Sequence, residues 1–182
     1  MARVMGADHV AEANGKFEPQ RPFNFKIVLP QDAGLGNAED VELSVLSFSV
    51  PNISNEPIVI PFLNEDRKIA GAVTFENATL VMVDYVDPNV LGALDGWRKK
   101  VYDPETGGVG LARDYKFDMS MKMFGPDDQD SFSRLWRLVG IWPQSIQHGE
   151  FSMATRTDYK QVTGIFSVDR MYLEADGGSS GA

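Results

Sequence analysis

Apolar and polar residues alternate along several short stretches of this chain, the period of two that marks strands with one buried face. In residues 23–29, Phe23, Phe25, Ile27 and Leu29 share one face until Pro30 and the glycines at 34 and 36 break the run. Residues 41–50 read as a second strand. Its apolar phase slips from Leu43 and Val45 to Leu46, Phe48 and Val50, which predicts a bulge or bend. Residues 73–86 predict two short strands, or one long strand broken near Asn77. Leu80 and Met82 on one face and Val81 and Val83 on the other suit a strand covered on both sides. Residues 113–124 alternate most regularly, with Tyr115, Phe117, Met119, Met121 and Met123 opposed to Lys116, Asp118, Ser120 and Lys122. After an acidic turn at 125–130 comes a segment carrying Trp136 and Trp142; residues 151–157 and 161–174 predict the last two strands.

One segment has helical spacing instead. Val90, Leu91, Leu94, Trp97 and Val101 form a single apolar stripe. Asp87 is the expected N-cap and Pro88 the first helical residue, where a missing N–H costs nothing. Arg98, Lys99 and Lys100 suit the negative end of the helix dipole, and Pro104 and Gly107-Gly108 stop the helix. Strands otherwise follow one another without intervening helices. The expected fold is therefore mainly β: a single antiparallel barrel or sandwich of about seven strands with one flanking helix. Its expected limits are 21–174, with residues 1–20 as an N-terminal arm and 175–182 as a Gly/Ser-rich flexible tail.

Residues 51–64 fit no simple element. Pro51, Pro57 and Pro61 keep this segment out of a helix and off a central ladder, yet it is apolar at Ile53, Ile58, Ile60 and Phe62. Such a loop either folds back on its own domain or buries itself on a neighbour. Ile53, Pro57, Ile58, Ile60 and Phe62 are therefore candidate inter-subunit contacts. Arg98 and Lys99 join them as a helix end first and a partner site second.

Composition narrows the chemistry. With 182 residues, 43% hydrophobic and 10% aromatic, the chain can bury roughly 70% of its unfolded surface in one core. It has no cysteine, so it has neither disulfides nor thiolate metal ligands, and it fits a reducing compartment. No run of 18 apolar residues occurs, and residues 1–21 lack the apolar core of a secretion signal. A formal charge of −9 disfavours a grip on phosphate backbones.

Catalysis has little support. The two histidines, His9 and His148, lie in the arm and in a loop, and no nucleophile motif accompanies either. Gly107, Gly108 and Gly110 follow a helix, whereas a phosphate cradle leads into one. Asp127, Asp128 and Asp130 lack the glycine and glutamate of a calcium loop. The chain is expected to be no enzyme and to hold no cofactor or metal. The Met119–Met123 stripe is read first as core, and otherwise as the lining of a monomeric β-barrel that binds a small apolar ligand.

A series of blocks in order carries a family resemblance: SFSVPNISNEPIVIPF, RKIAGAVTFENATLVMVDY, GWRKKVYDPETGG, LWRLVGIWPQSIQHGEFS and the closing QVTGIFSVDRMYL. Over residues 20–174 this order resembles the tail tube proteins of contractile-tailed bacteriophages, relatives of type VI secretion and phage-like injection-particle tubes. The weight rests on Trp97-Arg98, Tyr102-Asp103, the corner from Gly140 to Pro143, and the stretch from Phe166 to Arg170. The resemblance implies a structural virion protein whose six copies close a ring by edge-strand pairing, the rings stacking into a hollow tube. It implies assembly in the host bacterial cytoplasm with a tail sheath protein, baseplate hub and tail terminator. Tape-measure protein and DNA would occupy the lumen transiently, with no membrane partner. A baseplate or tail-completion ring protein of the same fold is the alternative. Six copies at −9 each would carry −54, so DNA crossing an acidic lumen would slide without sticking.

Overall fold

The computed structural model describes residues 20–125, 132–154 and 158–176. The expected arm and tail, His9 and the acidic turn with Asp127, Asp128 and Asp130 lie outside the described residues, apart from the ends at Gln20, Ala175 and Asp176. Among the described residues nine strands occur in order: β1 (Phe25–Val28), β2 (Val45–Ser49), β3 (Ile53–Phe62), β4 (Glu65–Phe75), β5 (Ala78–Val83), β6 (Phe117–Phe124), β7 (Phe132–Gln147), β8 (Gln161–Ser167) and β9 (Arg170–Asp176). Three α-helices accompany them: α1 (Ala38–Leu43), α2 (Val90–Val101) and α3 (Ala112–Tyr115).

Seven strands form one antiparallel sheet in the order β1-β6-β7-β8-β5-β2, with β9 also on β7. The 16-residue β7 joins its two halves. Its first part pairs β6 and β9, and its last part, from Trp142, pairs β8. Gly140 sits at the change of partner with φ 67°, a conformation that favours glycine. Both halves feed one core, with Ile27, Met119, Met121 and Leu138 from one and Leu80, Met82, Val162 and Phe166 from the other. The mainly β, antiparallel expectation is met.

α2 closes that core. Val90, Leu94 and Trp97 are fully buried along its stripe, and the Trp97 ring lies 5.9 Å from Phe117 and 5.4 Å from Phe166 between ring centroids. The helix begins two residues later than expected. Asn89 is its N-cap, accepting a 2.8 Å bond from the Gly92 N–H, while Asp87 and Pro88 lie in the preceding turn.

Other expectations are corrected. Residues 38–43 are helical, and the phase slip read at Leu43 marks the passage from α1 through Ser44 into β2. A register shift does occur, between Val45 and Ser47. α1 is held to β1 by Glu42, whose carboxylate accepts from the Leu29 N–H at 2.8 Å and lies 3.7 Å from the Lys26 Nζ. Residues 113–115 belong to α3, so the alternation becomes a strand only from Phe117. Residues 151–154 are not a strand, and 161–176 hold two strands separated by Val168 and Asp169. The break near Asn77 is real and falls between β4 and β5.

Candidate assembly surface

The segment read as a proline-punctuated loop is half of a separate two-stranded sheet. β3 pairs β4 in register from Ile53↔Phe75 to Phe62↔Glu65, around a turn made by Leu63 and Asn64. A two-residue connection fixes register through positive φ, and Leu63 takes φ 55° with its side chain 95% exposed. Between Asn55↔Val73 and Pro57↔Ala70, Gly71 and Ala72 of β4 stand opposite Glu56 alone, a bulge with its extra residue on β4, and a Cβ on Gly71 would run into the Glu56 carbonyl oxygen. At the root, Asn52 and Glu76 exchange a backbone bond of 3.0 Å and a side-chain bond of 2.9 Å.

Every residue of β3 is exposed, and so is nearly all of β4. Ile53, Ile58, Val59, Ile60, Phe62, Ile69 and Val73 all keep at least 48% of their surface open except Ile60, at 44%. Cross-strand pairs place Ile58 beside Ile69 and Ile60 beside Arg67 on one face; Val59 stands beside Lys68 on the other. The first alternative for this segment, folding back on its own domain, is not what the described residues do. A two-stranded ribbon alone is marginal in water, and apolar patches beyond roughly 300–600 Å² mark contact sites on soluble proteins.

A second surface lies where the main sheet ends. β1 and β2 are the two ends of the strand path and do not pair with each other. Between them and α1 opens a groove of about 950 Å³ touching Phe23, Phe25, Leu43, Val45, Leu46 and Phe48. Its walls include consecutive residues on both strands, Phe25 to Ile27 and Val45 to Phe48. Neighbouring residues on a strand point to opposite faces, so a cavity touching all of them meets the strands edge-on.

Arg98 and Lys99 sit apart from the hairpin, at the exposed end of α2. Lys99 pairs with Glu105 at 3.4 Å, and Arg98 Nη1 is buried without a hydrogen-bond partner. Both line a cleft of about 320 Å³ with Asp95, Tyr102 and Pro104. The predicted contact residues thus fall on two surfaces. What the sequence reading missed is the first part of β4, from Glu65 to Ala72, which it assigned to no element. The signal was the two residues between Phe62 and Glu65, a hairpin spacing without the usual glycine.

Catalytic and ligand readings gain nothing from the geometry. His148 is an exposed loop residue, and no cluster of metal-ligating side chains occurs among the described residues. The Gly107–Gly110 stretch turns the chain back along the end of α2, with the Gly110 N–H bonded to the Val101 carbonyl at 3.0 Å. Met119 and Met121 are packed in the core, so the methionine stripe is a filled interior. No helix among the described residues is long and apolar enough to cross a membrane.

The wet face of the four strands β1, β6, β7 and β9 carries Lys26, Lys122, Arg137 and Arg170 against Asp118 and Glu174. Arg137 bridges Asp118 at 3.4 Å and Glu174 at 3.3 Å, and the Asp118 hydrogen bond, then the Glu174 charge, raises its pKa. Among the described side chains, this face of a chain with a net charge of −9 therefore carries more cations than anions.

No family model matches the chain. A curated tail tube protein of Serratia phage KSP90 is 22% identical over 177 residues, 96% of this chain and 97% of that protein. A chain of the sheath–tube complex of the PVC extracellular contractile injection system, in its extended state, superposes with a TM-score of 0.65 at 15% identity. It covers 94% of this chain and 99% of its own length. The tube-terminating cap of the anti-feeding prophage gives 0.66 at 16% identity, over 86% of this chain and 91% of that one. Likeness at such identities establishes the fold. Along almost its whole length this chain resembles a phage tail tube protein in sequence and the tube and cap proteins of contractile injection systems in fold.

Proposed function

We propose that this protein is a non-enzymatic structural subunit of a contractile tail tube. Six copies close into a ring and rings stack into a hollow tube inside a sheath. The observation that carries the reading is the β3–β4 hairpin, exposed on both faces and uncovered by the described residues, in a chain that is similar to a phage tail tube protein over 96% of its length. A contact that closes makes a ring, and one that does not close makes a stack, so a single chain with two kinds of sticky surface can do both. On this reading the protein is a virion component built in the host bacterial cytoplasm. Its neighbours are sheath, baseplate hub, tail terminator and tape-measure protein, and DNA is transient cargo.

The surplus of cations on the β1-β6-β7-β9 face bears on the lumen. An acidic, DNA-repelling wall has to come from another face, or the lumen is closer to charge-balanced than −54 per ring suggests. The likeness to a tube-terminating cap keeps a second reading open, a tail-completion or baseplate ring of the same fold. Negative-stain electron microscopy of the purified protein over rising concentration tests both. Stacked rings support the tube subunit, single rings support the completion protein, and a monomer at every concentration overturns both.

A further inference from the structure

Two half-buried lysines of this fold are answered by carboxylates: Lys116 by Asp169 at 2.6 Å and Lys160 by Asp84 at 3.0 Å. Arg98 is placed differently. Its Nη1 is closed off from solvent and has no hydrogen-bond acceptor among the described residues. Asp95 stands three residues earlier on α2 and lines the same cleft, yet its carboxylate does not satisfy Nη1. We infer that this cleft at the end of α2 is a carboxylate-binding site, and that Arg98 is the residue by which it anchors an acidic segment of a partner protein.

A buried cationic donor without an acceptor lowers the stability of the isolated domain, and an incoming carboxylate recovers that loss. Arg98 also lines the cleft, so a turn about its last side-chain bonds brings the guanidinium to face it. That group presents its donors as a planar fork matching both oxygens of a carboxylate, which makes the gain directional. Lys99, beside it, is held only by the exposed Glu105 at 3.4 Å, a surface pair that gives way at little cost and adds a second cation. The negative end of α2 repels an anion, so the attraction has to come from these two side chains.

Size and walls select the rest of the ligand. A cleft of about 320 Å³ bounded by Tyr102 and Pro104 takes roughly one or two side chains and packs their methylenes on apolar surface. A nucleic-acid strand needs a row of cations, and two on a chain of net charge −9 do not make one. Inorganic phosphate brings more negative charge against Asp95 than a carboxylate does. An acidic peptide segment satisfies all of these conditions. The cleft shares no lining residue with the groove between β1 and β2 and lies apart from the hairpin, so copies joined through those surfaces leave it open. To that extent the choice of a partner protein over a second copy rests on the proposed self-assembly.

The probe is acetylated tetraglutamate amide, titrated at low salt into the isotope-labelled protein while the Arg98 Nε–H resonance is followed by NMR. The peptide is expected to shift that resonance saturably, and inorganic phosphate at equal concentration to leave it in place. Arg98→Met keeps the apolar stem and removes the fork. Its peptide affinity should fall about tenfold or more, while its melting temperature rises by about 2 °C or more because a buried unpaired donor is gone. Arg98→Lys should keep the charge and lose most of the affinity. A parent resonance that ignores the peptide, phosphate bound as tightly as the peptide, or a melting temperature that falls in Arg98→Met each overturns the carboxylate site. Electron microscopy decides the occupant. Rings and stacks of Arg98→Met at the parent's concentration support a partner protein; their loss assigns the cleft to a second copy and overturns that choice. A parent that never assembles overturns the proposed function and the choice of partner together, while the peptide titration decides the carboxylate site by itself.

Discussion

The Trp97 indole N–H donates to the Tyr115 carbonyl at 2.8 Å, tying the helix that caps the core to the segment that leads into β6. The ring is fully buried against Phe117 and Phe166, so it supplies apolar contact and satisfies a backbone acceptor at once. Trp97→Ala is expected to cost about 3–5 kcal/mol by opening a cavity. Trp97→Phe keeps much of the packing but leaves the carbonyl unpaired, for about 1–3 kcal/mol. Urea unfolding measures both, and a Trp97→Phe loss near zero would mean that the hydrogen bond contributes nothing.

Ile58→Asp separates interface from core. Ile58 is 55% exposed on the hairpin, so the domain should keep its stability within about 0.5 kcal/mol. Rings and stacks should be lost or need far higher concentration. Thermal unfolding and electron microscopy on the same sample give the two readings. A melted domain would place Ile58 in the core.

At Gly140, shape and backbone conformation can be told apart. A Cβ there would lie 2.4 Å from Asp169 Oδ2, and Asp169 is itself held by Lys116 at 2.6 Å. Gly140→Ala is expected to destabilise by about 2–4 kcal/mol, from positive φ together with the clash. Adding Asp169→Ala should recover the clash and leave the φ cost of about 1–2 kcal/mol. Strict additivity in denaturant unfolding would rule out the contact.

Asp103 supplies an acid-sensitive turn. The Glu105 backbone N–H bonds its carboxylate at 3.0 Å and the Thr106 hydroxyl at 2.8 Å, and these bonds hold its pKa below the ordinary 3.8. A depressed folded-state pKa stabilises the turn at any pH above the unfolded value. That contribution is lost as pH falls through the lower folded value. The carboxyl resonance followed by NMR should titrate below 3.8, and a midpoint at or above it would count against the turn as described.

Much of the fold was legible because burial on one face leaves a local trace. The alternation from Phe117 to Met123 became β6, and the stripe from Val90 to Val101 became α2, since each pattern repeats often enough to exceed chance. α1 was not legible. Its six residues give less than two turns, too few for a 3.6-residue period to separate from an alternating one. The course of β7 was not legible either, because the change of partner at Gly140 depends on where β8 and β9 lie.

By itself, the sequence determined that this chain is a β-rich domain without cysteine chemistry, and that residues 51–64 combine apolar side chains with prolines that keep the segment extended. Side-chain chemistry is local, so those statements needed no partner strand. Only the tertiary structure decided that this segment is one strand of a projecting hairpin, and that β1 and β2 leave a groove between them. Which backbone edges remain free is fixed by pairings between residues far apart in the chain. No local pattern records that.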